Sequence, residues 1–289
     1  MSRRFPLYGW IGLVGLAASE LLMLRRVEPF WTWHTPIAWT TFILIADAVV
    51  WRRRGDSWLT TSRAEFAFLA LVSIPLWLVF EYYNLFIRNW YYINLPENFW
   101  LRQLGYAWSF ATIWPALFVA ADLISVLRER GGSPADRARG ADVSPARLAL
   151  SETVSGLCVA VGAAMLVWPI VWPSPYFAAP VWLGFIFLLD PLNARLGGES
   201  MLRDLAEGRR DRLVNLMLSG LLCGFLWEFW NYWARAKWIY TVPILPEVKI
   251  FEMPVAGYLG FPAFALECFA MYETVRLFLW RGRARRIPL

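Results

Sequence analysis

Apolar stretches and short polar clusters alternate along the whole chain. Apolar runs stand near 8–24, 36–51, 65–84, 104–127, 148–171, 176–191, 213–234 and 255–279, those at 36–51 and 176–191 being the shortest. A helix needs roughly 17 to 25 such residues to cross ~30 Å of hydrocarbon. The pattern predicts an all-α, polytopic integral membrane protein with about eight transmembrane helices.

The pattern also repeats. Residues 39–57, WTTFILIADAVVWRRRGDS, align without a gap on 182–200, WLGFIFLLDPLNARLGGES, pairing Trp39 with Trp182, Asp47 with Asp190, Arg52 with Arg195, Gly55 with Gly198 and Ser57 with Ser200. Further on, EYYNLFIRNWYY (81–92) matches EFWNYWARAKWIY (228–240), and Gly105-Tyr106 matches Gly257-Tyr258. Each copy then holds four spans. Because four is even, both enter the membrane from the same side, which predicts two parallel four-helix repeats with a site near their interface. The first repeat takes 1–130 and the second 148–289. Between them, 131–147 is rich in Gly, Pro and charge and reads as a cytoplasmic linker.

Composition narrows the picture. The chain is 58% hydrophobic and 17% charged, too apolar for a soluble protein of 289 residues. The net charge of +6 raises the question of nucleic acid, but the arginines cluster at span boundaries. With the N-terminus inside, only Arg25, Arg26, Arg88, Arg102, Arg235, Lys237 and Lys249 face out, and Arg276 stands near the inner end of the last span. That asymmetry fits the positive-inside rule and predicts a multi-pass cell-membrane protein with both termini cytoplasmic and no nucleic-acid partner. The opening MSRR, apolar run and GLAAS have the outline of a signal peptide, whereas Glu20 within the run and Arg25-Arg26 after it point to a retained first span. Cys158, Cys223 and Cys268 each fall in a span and read as buried small side chains. His34, the single histidine, stands at an outer boundary, so neither a metal set nor a cofactor is expected.

The candidate chemistry lies in the repeated segments. Glu81, Asn84 and Arg88 are spaced to share one helix face, as are Glu228, Asn231 and Arg235. Two such stripes predict a polar pocket open to the outer leaflet, with Asn bridging carboxylate and guanidinium. Acids within spans are costly and mark function by default. The glutamates then trade protons while the arginines hold an anionic or polar head; the bland alternative is a polar clamp between helices. Trp90, Tyr91, Tyr92, Trp100, Trp233, Trp238 and Tyr240 read mainly as an interfacial belt, some of them walling an apolar slot. Asp47 and Asp190 oppose a helix dipole and are expected to pair with Arg52 and Arg195. Gly55 and Gly198 read as C-caps, and Ser57 and Ser200 as N-caps. Glu267, near mid-membrane, is a further proton-handling candidate, and Glu252 is a loop acid able to face the pocket.

The order Trp227-Glu228, Trp238, Gly257 and Pro262 to Glu267, with Glu81, Trp90, Gly105 and Pro115 in the first copy, resembles the lycopene cyclase domain of small membrane carotenoid cyclases. In that family the proline is followed almost at once by paired acids, whereas Pro262 and Glu267 stand five apart. The resemblance implies cofactor-free, acid-initiated cyclisation or hydration of an isoprenoid, with Glu228 and Glu267 as proton donors and Glu81 as the equivalent in the first copy. The ligand is then a membrane lipid or an apolar small molecule, with Trp90, Trp238, Asn84, Asn231, Arg88 and Arg235 contacting it. Two other readings stand beside it: a proton-coupled transporter or channel, and a lipid-binding or assembly protein.

Overall fold

A computed structural model describes residues 3–128, 152–282 and 284–286; the expected linker at 131–147 lies outside them. Its helices are α1 (Leu7–Leu24), α2 (His34–Arg54), α3 (Trp58–Thr61), α4 (Arg63–Ile87), α5 (Phe99–Ala111) and α6 (Ile113–Arg128). After the break come α7 (Glu152–Val171), α8 (Ala178–Arg195), α9 (Met201–Ala206), α10 (Asp211–Trp233) and α11 (Gly260–Leu279). Short strands β1 (Trp90–Ile93), β2 (Lys237–Tyr240), β3 (Lys249–Ile250) and β4 (Met253–Pro254) complete the chain. With α5 and α6 counted as one span and the 3-10 turns at Pro175–Phe177 and Val255–Leu259 joined to α8 and α11, eight helical segments are long and apolar enough to cross a membrane.

α6, α10 and α11 form the middle of the bundle. Every residue from Ile113 to Asp122 is buried, and Trp114, Phe118, Phe269 and Tyr272 meet there with no measurable exposure. α1 packs on α2 and α7 on α8, while α2 lies on α6 and α8 on α11. The outer helices keep large apolar side chains on their free faces, including Leu7, Ile11 and Val14 on α1, Leu71, Leu78 and Leu85 on α4, and Leu157, Val161 and Val167 on α7. Such faces suit a lipid surround and would be a liability in water. Close helix approach is bought with glycine: a Cβ on Gly162 of α7 would meet the backbone of Leu188 and Gly184 on α8.

Beside the α6–α10 contact, a two-stranded ribbon links the two halves. β1 pairs antiparallel with β2, placing Trp90 opposite Tyr240 and Tyr92 opposite Trp238. The first member of the expected Trp pair thus faces the second member of the Tyr pair, and conversely. Ring packing crosses in the same reciprocal way. Trp39 of α2 packs on Trp227 of α10 at 5.6 Å, and Trp182 of α8 stacks on Phe80 of α4 at 5.1 Å.

Three expectations are corrected here. Asp47 does not rely on Arg52; it accepts from the Tyr8 hydroxyl at 2.7 Å, Ser57 Oγ at 2.8 Å and the Leu59 amide at 3.1 Å. Asp190 likewise accepts from Ser200 Oγ at 2.8 Å and the Met201 and Leu202 amides at 2.9 Å, rather than from Arg195. Each carboxylate therefore caps the short helix that follows, where exposed amides favour a negative charge. Gly55 does take the left-handed cap, but in the second copy Gly197 carries the positive φ, not Gly198. His34, the first residue of α2, is fully buried within the protein, with Nδ1 3.3 Å from Ser19 Oγ and Nε2 3.7 Å from Glu20.

Candidate functional site

Where the ribbon meets the helix ends, a cavity of about 600 Å³ opens between the halves. Its walls are aromatic: Trp39, Trp77, Trp182, Trp227 and Phe264 come from the helices, and Trp90, Tyr92, Trp238 and Tyr240 from the ribbon. Ring centroids lie 6.0 Å apart for Trp77 and Trp227 and 5.2 Å apart for Trp182 and Phe264, so each wall supports the next. Phe264 also packs on Trp114 at 6.0 Å and on Phe80 at 5.5 Å, which ties the wall to the buried middle of the bundle.

The candidate glutamates stand behind this wall. On α4, Glu81 Oε1 accepts from Trp77 Nε1 at 2.8 Å, from Trp90 Nε1 at 3.2 Å and from the Tyr92 hydroxyl. On α10, the fully buried Glu228 accepts from the Tyr240 hydroxyl at 2.8 Å, and that hydroxyl accepts in turn from Trp238 Nε1 at 2.8 Å. Neither carboxylate lines the cavity; the tyrosines that hold them do. Among the described residues Glu228 Oε2 has no hydrogen-bond partner and no cation pairs with the group. The Tyr92 and Tyr240 phenols are held well above their ordinary range, first by burial and then by the Glu81 and Glu228 carboxylates.

The asparagines and arginines part company with the expected stripes. Asn84 donates to the Trp90 carbonyl at 2.8 Å and accepts from the Asn89 amide at 2.8 Å. Asn231 donates to the Trp238 carbonyl at 2.8 Å and accepts from the Trp238 amide at 2.9 Å. Both thus hang the ribbon tryptophans from the helix ends and bridge no guanidinium. α4 stops before Arg88, which takes a left-handed conformation with φ 50 and is exposed. α10 ends at Trp233, and the exposed Arg235 pairs with Glu28 at 3.1 Å, stacked over Trp31. Neither arginine lines the cavity.

The remaining candidates scatter. Glu267 is fully buried on α11, with Oε1 accepting the Phe185 amide at 3.3 Å and Oε2 unpartnered among the described residues. Glu252 binds Lys237 Nζ at 2.6 Å. Asp47 and Asp190 lie at the far, arginine-rich end of the bundle. Of the expected aromatic belt, Tyr91, Trp100 and Trp233 are at the surface, while Trp90, Tyr92, Trp238 and Tyr240 turn inward.

Some of the lining escaped the sequence reading. Trp77 and Trp227 sit one helical turn and one residue before the candidate glutamates, a proximity that could have flagged them. Among the described residues, Arg102 and Lys237 are the charged side chains in the lining. At the opposite end a buried ionic network was also missed: Arg276 meets Glu65 at 3.5 Å, Glu199 at 3.4 Å and Glu273 at 2.5 Å, and Arg285 meets Asp56 at 2.7 Å and Asp122 at 3.1 Å. Among the described residues no cluster of three or more His, Cys, Asp or Glu is placed to hold a metal ion.

Comparison with known proteins returned no matching family model, no matching curated protein and no matching solved structure.

Proposed function

We propose that the protein is a membrane-embedded enzyme that moves a proton onto and off an apolar isoprenoid or lipid held between two parallel four-helix repeats. The observation that carries this reading is the pair of tyrosine hydroxyls in an aromatic cavity, each hydrogen-bonded to a carboxyl group behind the wall. The cavity volume falls in the ~300 to 1,000 Å³ range of small-molecule sites. It seats a compact ligand or one end of a longer chain.

In this mechanism protonated Glu228 is the acid: the Tyr240 hydroxyl turns from the glutamate toward the substrate, and its proton passes to a carbon–carbon double bond as the Glu228 proton passes to the phenol oxygen. One C–H bond forms and the π bond becomes a carbocation, which the faces of Trp39, Trp182 and Trp227 stabilise. Attack by a neighbouring double bond closes a ring. Loss of a proton from an adjacent carbon to the tyrosine, relayed to the glutamate, restores the acid without any cofactor. Tyr92 and Glu81 form the second such pair. The likeness of the repeated segments to the lycopene cyclase domain family supports this chemistry, although Glu267, its other expected donor, lies outside the cavity.

The reciprocal ribbon register and the matching roles of Asn84 with Asn231 and Asp47 with Asp190 support the parallel repeat. The arginine-rich end is then cytoplasmic, together with both termini, in the cell membrane.

The test is deuterium transfer. Purified protein in lipid nanodiscs is incubated in D2O with neutral and phosphorylated isoprenoids, and products are read by mass spectrometry. The wild type should give a cyclised or isomerised product carrying deuterium. Glu228→Gln should fold normally and lose about 10²- to 10⁴-fold in rate. Undiminished deuterium transfer in Glu228→Gln would remove the proposed role of that dyad.

A further inference from the structure

The lining of the cavity is asymmetric in charge. Among the described residues, Arg102, near the start of α5, and Lys237, opening β2, are its charged side chains, and no acidic side chain lines it. Lys237 is neutralised by Glu252 at 2.6 Å. Arg102 is not: among the described residues its guanidinium has no ion pair, hydrogen bond or ring contact, although it is half-buried. It stands one turn before Tyr106, whose ring packs at 5.4 Å on Tyr92. An uncompensated guanidinium at the rim of a largely apolar chamber gains most from an anion, which supplies a charge-assisted, bidentate partner.

Resting on the function proposed above, we infer that the substrate is an anionic amphiphile: its apolar chain lies among the tryptophans and its phosphate or carboxylate head is held by Arg102. Lys237, already paired, adds a weaker second contact. The anion-holding role first expected of Arg88 and Arg235 passes to Arg102, because the chain turns those two out to the surface.

Binding of three probes that share one chain and differ in the head tests this inference. Farnesyl phosphate, farnesoate and farnesol are titrated by calorimetry into the full chain in detergent micelles, for wild type, Arg102→Gln and Arg102→Lys. The wild type should bind at least one of the two anions about tenfold or more tighter than farnesol. The stronger anion identifies the head as phosphate or carboxylate. Arg102→Gln should bring that anion within about twofold of farnesol while leaving farnesol itself unchanged, and Arg102→Lys should recover part of the preference. Equal affinity for all three probes, or an equal loss for anion and alcohol in Arg102→Gln, overturns the anionic head but leaves the proton-transfer reading standing. Absence of binding by all three also overturns the inference, and deuterium transfer then decides separately on the enzyme.

Discussion

At the scale of single residues, the same side-chain types carry different burdens according to what they touch. Asn231 shows this most sharply. Its spacing from Glu228 marked it as a ligand-binding group, yet both ends of its amide are spent on the Trp238 backbone. Asn231→Ala leaves that backbone amide and carbonyl without partners and should cost about 1 to 3 kcal/mol, read as a lowered thermal midpoint in detergent. The buried phenols make a second prediction. Because Tyr92 and Tyr240 titrate well above the ordinary phenol range, with burial the larger cause, they remain neutral while ordinary tyrosines ionise. A folded-state pKa above the unfolded value contributes stability that is complete below about pH 10 and falls as the pH rises beyond it. Phenolate absorbance of the folded Tyr92→Phe/Tyr240→Phe variant should therefore match the wild type between pH 10 and 11. A deficit of two ionising phenols in the variant would contradict the burial of these groups. On the exposed rim, Glu28 shows the opposite sign: although burial pushes it up, the Thr32 hydrogen bonds and Arg235 hold it below the usual carboxylate range.

At the scale of elements, the helices were legible because their apolar runs leave little choice. The shortest expected spans, 36–51 and 176–191, extend in the structure to His34–Arg54 and, with its leading 3-10 turn, Pro175–Arg195. What the runs did not carry was where each helix stops and what its end does. Arg88 and Arg235 were assigned to helix faces by spacing alone, but α4 and α10 end before them because the asparagines divert the chain into β1 and β2. The strands themselves were not expected, being only four residues each and rich in the aromatics that also mark membrane interfaces. Glycine packing gives the test at this scale. Gly162→Ala places a methyl against the backbone of α8 and should destabilise by about 1 to 3 kcal/mol. Gly156→Ala, on the same helix with open space around it, should be neutral or stabilising by up to ~1 kcal/mol. Equal thermal midpoints for the two variants would show that the α7–α8 contact is looser than it stands here.

At the scale of the whole molecule, two polar assemblies bracket the aromatic middle: the ribbon with its glutamates at one end, and the arginine network at the other. The network joins the last helix and the segment after it to the first half, since Arg276 reaches Glu65 and Arg285 reaches Asp56 and Asp122. Removing one partner of a buried ion pair strands the others, typically at about 3 to 5 kcal/mol. Arg276→Met should therefore lower the unfolding midpoint strongly. Replacement of both partners, Arg276→Met with Glu65→Leu, should recover part of the loss. Retention of full stability by Arg276→Met would mean that water reaches the network.

The eight membrane-length segments and their apolar character were legible along the chain, and the repeat marked Glu81, Glu228, Trp90 and Trp238 as a set. Those features are local or recur at a fixed offset, so a linear reading captures them. That the glutamates sit behind tyrosines, that the asparagines serve the backbone, and that Arg102 lacks a partner among the described residues became visible only in the folded chain. Each of these depends on which groups from distant parts of the chain come within hydrogen-bonding reach, and spacing along one helix does not contain that information.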